Sequence, residues 1–132
     1  MPEILIAARD EAAIVLSRGA VRELARSLGF TVVDQTRIAT AVSEIVRNVV
    51  LYAKRGKIEF MVVGDRQAGG GIEVVVEDEG PGISDTATVL AGGFSTSGGF
   101  GRGISGARTL VDEFELESEE GVGTRVVMRK WP

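Results

Sequence analysis

A strand-like run over residues 72–78 ends in the turn Gly80-Pro81-Gly82 and carries a carboxylate on its apolar side. Side chains in a strand alternate between two faces, so Asp78 shares a face with Val74 and Val76. A carboxylate on an apolar face is costly unless something donates hydrogen bonds to it. The donor is either the protein, in which case Asp78 caps local backbone amides, or a ligand.

The periodicity around this run predicts a mixed order of helices and strands. We expect one domain over residues 1–132, an α+β fold in which a mostly antiparallel sheet carries helices on one face, as a two-layer α/β sandwich. Asp34 is the expected N-cap of the second helix, and Gly29 the stop of the first. The predicted helices cover residues 10–28, 34–53, 84–91 and 104–112. The predicted strands cover residues 3–8, 57–64, 72–78, 114–118 and 124–131. Residues 92–103 are predicted to form a mobile glycine-rich loop.

The composition excludes several classes of catalytic mechanism and disfavours some classes of partner. The 132 residues carry a net charge of −4, with no cysteine and no histidine. Catalytic mechanisms and metal sites built on these two residue types are therefore excluded, and acid–base chemistry falls to Asp, Glu, Lys or Tyr. The negative charge does not favour nucleic-acid binding, and no apolar run is long enough to span a bilayer. We expect a cytoplasmic protein with neither nucleic-acid nor membrane partners.

Glu44 and Asn48 lie four residues apart in the second predicted helix and therefore share one face, one turn apart. They flank the apolar stripe of that helix, where they could face a cleft between helix and sheet. A carboxylate beside a neutral amide oxygen suits one general base and one ligand of a hard metal ion. Alternatively, they belong to a solvated polar face on which Glu44 pairs with Arg47.

Two further segments have compositions that suit a ligand. The run from Gly98 to Gly106 leads into a predicted helix and offers unshielded amides to a phosphate, although it matches no P-loop pattern and could be a flexible linker. Thr124 is the polar member of an otherwise apolar face of the last predicted strand, at its open end. A threonine that simply favours β-structure would look the same.

The order and spacing of these features resemble the Bergerat ATP-binding fold of the GHKL group, over essentially the whole chain. Within that group the chain looks most like the RsbT-like switch kinases of bacterial stressosome and partner-switching pathways. The similar stretches are residues 33–48, which include Glu44 and Asn48, residues 78–83, and residues 93–99. The RsbW- and SpoIIAB-like anti-sigma kinases are a more distant match.

The resemblance implies ATP and Mg2+ as cofactors and assigns roles to individual residues. Asn48 would ligate Mg2+, and Glu44 would be the general base towards the attacking hydroxyl. Asp78 would accept a hydrogen bond from the adenine amine, assisted by water and Thr124, so that the ligand is the donor that Asp78 lacks. Gly80 and Gly82 would let the nucleotide lie against the backbone, and Ile83 would pack near the base. The glycines of the later loop would cover the phosphates: Gly98, Gly99, Gly101 and Gly103.

The same resemblance implies a serine/threonine protein kinase that phosphorylates a STAS-domain partner and, in a second role, binds and activates a PP2C-type phosphatase. An anti-sigma factor is the first alternative, and an ATPase or histidine-kinase catalytic domain the second. The absence of histidine excludes autophosphorylation on histidine within the chain. Arg47, Lys54 and Arg102 are all candidates to assist the phosphates, and the sequence does not choose among them.

Overall fold

The computed structural model describes residues 4–53, 55–64, 70–82 and 100–132, with the backbone alone at 100–102. Its strands are β1 (Ile4–Ala8), β2 (Gly56–Val63), β3 (Gly71–Asp78), β4 (Glu113–Glu119) and β5 (Gly123–Lys130). They form one sheet in the spatial order β1-β2-β3-β5-β4, and every neighbouring pair is antiparallel. The predicted α+β fold with an antiparallel sheet is confirmed.

Three helices lie in the described residues: α1 (Ala12–Ser27), α2 (Val32–Asn48) and α3 (Phe100–Leu110). The end of α2 continues into a π-helical turn, Val49–Ala53. The helices cover one face of the sheet, as the two-layer prediction requires. Their apolar stripes meet the alternate strand residues in a single core that includes Ile38, Val42, Phe60, Val74 and Met128.

Two predicted helix boundaries are wrong. The second helix begins at Val32, and its N-cap is Thr31, whose hydroxyl accepts a hydrogen bond from the Asp34 amide at 3.1 Å. Threonine caps nearly as well as aspartate, so residue type alone did not separate the two candidates. The last helix begins at Phe100 rather than residue 104, and the predicted loop therefore ends before Gly101 and Gly103. The predicted helix at 84–91 and the rest of that loop lie outside the described residues.

The other face of the sheet carries charged side chains paired across the strands. Arg129 contacts Glu73 at 2.8 Å and also Glu113 and Glu115, while Arg125 contacts Glu77 at 3.1 Å. These pairs flank Val75 and Val127, which lie opposite each other in the register and are buried. The open face therefore neutralises most of its carboxylates within the protein.

The helix-covered face is polar at both ends of β5. Lys130 occupies a core-facing position with 7% of its side chain exposed, and its ammonium lies 3.5 Å from the Asp34 carboxylate at the start of α2. At the opposite end of β5 and α2 lie Thr124 and Asn48. We call the first the Lys130 end and the second the Asp78 end, because Asp78 is the direct strand partner of Thr124.

Candidate functional site

Three of the predicted site residues line one small cavity at the Asp78 end. Asn48 comes from the last residue of α2, Asp78 from the end of β3, and Thr124 from the start of β5. The cavity has a volume of about 10 Å³, which is room for about one water molecule. Its other walls are apolar and come from Ile45, Val49, Val76, Ile104 and Val126.

Strand register explains why Asp78 and Thr124 meet. The two residues are directly paired across β3 and β5, and Val76 is paired with Val126 one step deeper on the same face. Side chains opposite each other on one face have Cβ atoms about 4.5–5.5 Å apart. Asp78 and Thr124 therefore form a polar end to an apolar stripe, directly below the end of α2.

Asp78 receives hydrogen bonds from the protein itself. The Gly80 amide donates to Asp78 Oδ1 at 2.8 Å, and the backbone of Thr124 contributes a second hydrogen bond. Burial nevertheless outweighs both bonds and raises the pKa of Asp78 above its ordinary value of 3.8. The expectation that a ligand supplies the missing donor is thus wrong in part, because the backbone already supplies two. No described residue forms an ion pair with this carboxylate.

Asn48 is buried, and its Nδ2 atom has no hydrogen-bond partner among the described residues. A buried amide donor without an acceptor costs about 1–3 kcal/mol, so this atom is adapted to a partner other than the residues that the structure describes. Gly103 lies directly above it in α3, where a Cβ would come within 3.2 Å of Nδ2 and 3.3 Å of Oδ1. A side chain at Gly103 would therefore press on Asn48.

Glu44 is half-exposed, with 36% of its side chain accessible, and its two oxygens face different surroundings. Oε1 lies 3.2 Å from the Arg47 guanidinium, which is the pairing that the alternative interpretation predicted. Oε2 lies on the side of Gly103, 3.5 Å from the position that a Cβ there would take. Glu44 and Asn48 therefore lie beside the same residue of α3, as their helical spacing predicted.

Packing within the protein explains why the turn after Asp78 has glycine at two positions. A Cβ on Gly80 would lie 2.6 Å from the Ala53 Cβ, and one on Gly82 would collide with the Glu119 carbonyl oxygen. Gly82 also has a φ of +75°, which disfavours any side chain. The resemblance assigned both glycines to close contact with a nucleotide, but here they bring the π-helical turn and the β4–β5 hairpin against the end of β3.

Some of the predicted site residues lie outside the described residues, and the sequence did not predict one residue that lies beside the site. Ile83, Gly98 and Gly99 lie outside the described residues, and Gly101 is described only as part of the α3 backbone. The missed residue is Ser118 of β4, whose hydroxyl lies 2.8 Å from the Thr124 hydroxyl. Its signal was available in the alternation of β4, where every other residue from Glu113 to Glu119 is a glutamate and Ser118 lies on the opposite face.

Two larger open clefts also reach Asp78, but their walls suit a triphosphate less well. One, of about 460 Å³, is lined by four glutamates as well as Asp78, and these would repel phosphate groups. The other, of about 420 Å³, combines Arg9, Arg55 and Lys57 with further acidic residues. Asp78 lines all three spaces. No helix in the described part of the chain is long and apolar enough to cross a membrane.

Fold and site together define an ATP-binding domain of the GHKL class. Residues 33–132 match the family model described as histidine kinase-, DNA gyrase B-, and HSP90-like ATPase, and the chain belongs to that family. It is 48% identical over 118 residues to the serine/threonine-protein kinase RsbT of Bacillus subtilis, a match that covers 89% of this chain and 88% of the relative. The chain is accordingly a serine/threonine protein kinase that uses ATP.

Other relatives belong to the anti-sigma group. The anti-sigma F factor of Thermoanaerobacter sp. (strain X514) is 34% identical over 118 residues, covering 87% of this chain and 82% of the relative. Among solved structures, the RsbU and RsbW domains of a Mycobacterium tuberculosis protein superpose with a TM-score of 0.64 at 20% identity. That match covers 98% of this chain and 32% of the other, and it shows the shared fold.

Proposed function

We propose that this kinase transfers the γ-phosphate of Mg2+-bound ATP to a serine or threonine of a STAS-domain protein, within a bacterial stress-signalling partner switch. The observation that carries the proposal is the convergence of Asn48, Asp78 and Thr124 on one cavity, with Glu44 beside it. An apolar cavity that ends in hydrogen-bond acceptors suits a purine with an exocyclic amine. The oxygen and amide groups on its α2 side suit a metal-bound phosphate.

The residues on α2 fit a magnesium ion for which water and phosphate oxygens are most of the ligands. In the described residues, no group of three or more acidic side chains is arranged to hold a metal ion, so an ion held by protein alone is not favoured there. Asn48 has an unpartnered buried amide, and the assignment of its oxygen and nitrogen is interchangeable, so Oδ1 is available as a ligand. When bound, Mg2+ would neutralise charge on the phosphates.

Glu44 is proposed as the general base. The acceptor hydroxyl oxygen attacks the γ-phosphorus, its proton passes to Glu44, and ADP leaves as the phosphoester forms. Arg47 holds Oε1, so Oε2, which lies on the Gly103 side, is the oxygen that takes the proton. Phosphoryl transfer needs mainly positioning and charge neutralisation, and this arrangement offers both.

A nucleobase requires the cavity to open, because a space for one water cannot hold a purine. Ile104 is the lining residue that α3 contributes, and it follows Gly103 directly. We expect α3 to move outward on ATP binding, which would carry Ile104 away from the cavity. Gly98, Gly99 and Gly101 precede this point in the chain and are proposed to contact the phosphates, with Ile83 near the base.

The proposed partners follow from the relatives' functions. Switching between a STAS-domain substrate and a PP2C-type phosphatase would use the kinase first as an enzyme and then as a binding protein, in the cytoplasm. The test is a phosphotransfer assay with labelled ATP against STAS-domain proteins encoded near the gene. We expect magnesium-dependent label on serine or threonine of one of them, and label on none of them would contradict the proposal.

An anti-sigma factor is the second candidate, since the 34% identical relatives carry that name. It would bind a sigma factor and phosphorylate an anti-anti-sigma protein, with the same ATP site. Affinity purification of the tagged chain from its own cells separates the two candidates. A STAS-domain protein or phosphatase in the eluate supports the first, and a sigma factor supports the second.

A further inference from the structure

Thr124 is joined to a short chain of hydrogen bonds that has a direction. The Ser118 hydroxyl donates to the Gly123 carbonyl oxygen at 3.0 Å and lies 2.8 Å from the Thr124 hydroxyl oxygen. A serine hydroxyl has one proton and two lone pairs. Because a carbonyl oxygen can only accept, the bond to Gly123 takes the Ser118 proton, and we assign the Thr124 hydroxyl as the donor in the bond between the two side chains.

The direction of this chain decides what Thr124 offers to the cavity. Its single proton points to Ser118, so the lone pairs of Thr124 remain for a ligand, and they lie beside Asp78, a carboxylate acceptor. The sheet side of the cavity, formed by Asp78 and Thr124, therefore presents acceptors, while the Asn48 amide lies on the α2 side. Buried groups of fixed polarity reject a ligand that offers the wrong partner, because the mismatch leaves both groups unsatisfied.

We propose that Ser118 is a positioning residue that sets base selectivity, by holding the Thr124 hydroxyl as an acceptor so that the site takes a 6-aminopurine and rejects a 6-oxopurine. The inference rests on the proposed function, in which ATP occupies this cavity. An adenine amine donates to acceptors, whereas the oxygen of hypoxanthine faces them with a lone pair. A water that donates to Thr124 and to the ring nitrogen N1 gives the same preference, because N1 accepts in adenine and donates in hypoxanthine.

The test compares two variants that differ in a hydroxyl and little else. Ser118→Thr keeps the hydroxyl, and Ser118→Val has nearly the same shape without it; both side chains suit a strand. The ratio of ITP to ATP dissociation constants is measured by calorimetry for each variant and for the wild type. We expect Ser118→Val to lower this ratio about two- to tenfold, since Thr124 becomes free to donate, and Ser118→Thr to keep it.

A second pair of variants, both carrying Thr124→Val, tests whether Ser118 acts through Thr124. In Thr124→Val, the hydroxyl that Ser118 holds is gone, so adding Ser118→Val should leave the ratio unchanged. Glu117→Gln, on the other face of β4, is the control for a general effect of the hairpin and should keep the wild-type ratio. Urea unfolding of every variant separates a change in selectivity from a loss of folded protein.

The outcomes distinguish this inference from the proposed function. If the wild type prefers ATP but Ser118→Val keeps the wild-type ratio, the role of Ser118 is overturned and the ATP site stands. An equal change in Ser118→Thr would also overturn it, because the hydroxyl would then be irrelevant. If the wild type binds neither nucleotide, the proposed function fails, and the inference fails with it.

Discussion

The two ends of the helix-covered face differ in how they treat a buried charge. At the Lys130 end, an ammonium and the Asp34 carboxylate lie 3.5 Å apart, with 7% and 19% of their side chains exposed. At the Asp78 end, the carboxylate has backbone amides as partners and no ion pair with a described residue. The first end satisfies its charges within the fold, whereas the second leaves them partly unsatisfied.

This difference separates a structural group from a group kept for a ligand. Burial raises the pKa of Asp78, and the buried Nδ2 of Asn48 has no partner among the described residues, so two neighbouring polar groups both carry a cost there. Groups with shifted pKa values and unmet hydrogen bonds cluster at functional sites. Changes at the Asp78 end should therefore alter nucleotide binding or transfer, and changes at the Lys130 end should alter stability.

The largest expected effect is on catalysis at the Asp78 end. Glu44→Gln keeps the shape of the side chain and removes the base, so phosphotransfer to the acceptor should fall about 10²- to 10⁴-fold. ATP affinity should stay within about threefold, because the base acts on the acceptor. Single-turnover transfer and ATP titration measure the two quantities. Transfer at the wild-type rate would remove Glu44 from the mechanism.

The Lys130 end should respond in stability alone. Asp34→Asn leaves the ammonium of Lys130 buried without its partner and should lower the free energy of unfolding by about 1–3 kcal/mol. The matched variant Lys130→Met removes the charge itself and should cost less than about 1 kcal/mol. Urea denaturation measures both. Equal losses in the two variants, or a loss of ATP affinity in either, would break the distinction between the ends.

A side chain should be tolerated less well at Gly82, in the turn after Asp78, than at Gly121, in the turn between β4 and β5. Gly82→Ala forces a Cβ against the Glu119 carbonyl at a φ of +75° and should destabilise by about 2 kcal/mol or more. Gly121→Ala has a φ of +83° with nothing within 4 Å of the added Cβ, and should cost about 1 kcal/mol. If the two losses are the same, close packing at Gly82 plays no part.

The smallest expected effect is a pH dependence that comes from Asp78. A carboxyl whose pKa is raised on folding binds its proton more tightly in the folded state, so it stabilises the fold below pH 3.8. That contribution is lost as pH rises through the raised pKa. The unfolding free energy of the wild type should therefore fall relative to that of Asp78→Asn as pH rises above about 4. A difference that does not vary with pH would show that burial of Asp78 has no such effect.

The sequence predicted the sheet and the helix layer, because alternation and helical spacing decide which face a side chain takes. That Asn48, Asp78 and Thr124 belong to one pocket was implied by the family resemblance rather than by these patterns. The sequence did not predict details that depend on contacts between distant segments. Ser118 becomes relevant through its register with Thr124, and the reason for Gly80 is its approach to Ala53. For Asp78 the residue types left two donors open, the amides of the following turn and a ligand, and the structure shows the Gly80 amide.

ATP binding by the wild type, Asp78→Asn and Glu77→Gln tests the central claim most directly. Adjacent in β3, the two carboxylates point to opposite faces, and Glu77 is paired with Arg125 and Lys57 on the open face. By calorimetry with Mg-ATP, Asp78→Asn should weaken binding about ten- to hundredfold, since its amide can present a donor to the adenine amine, while Glu77→Gln should stay within about twofold. Unchanged affinity in Asp78→Asn, or an equal loss in both variants, would contradict the assignment of Asp78 as the residue that recognises adenine.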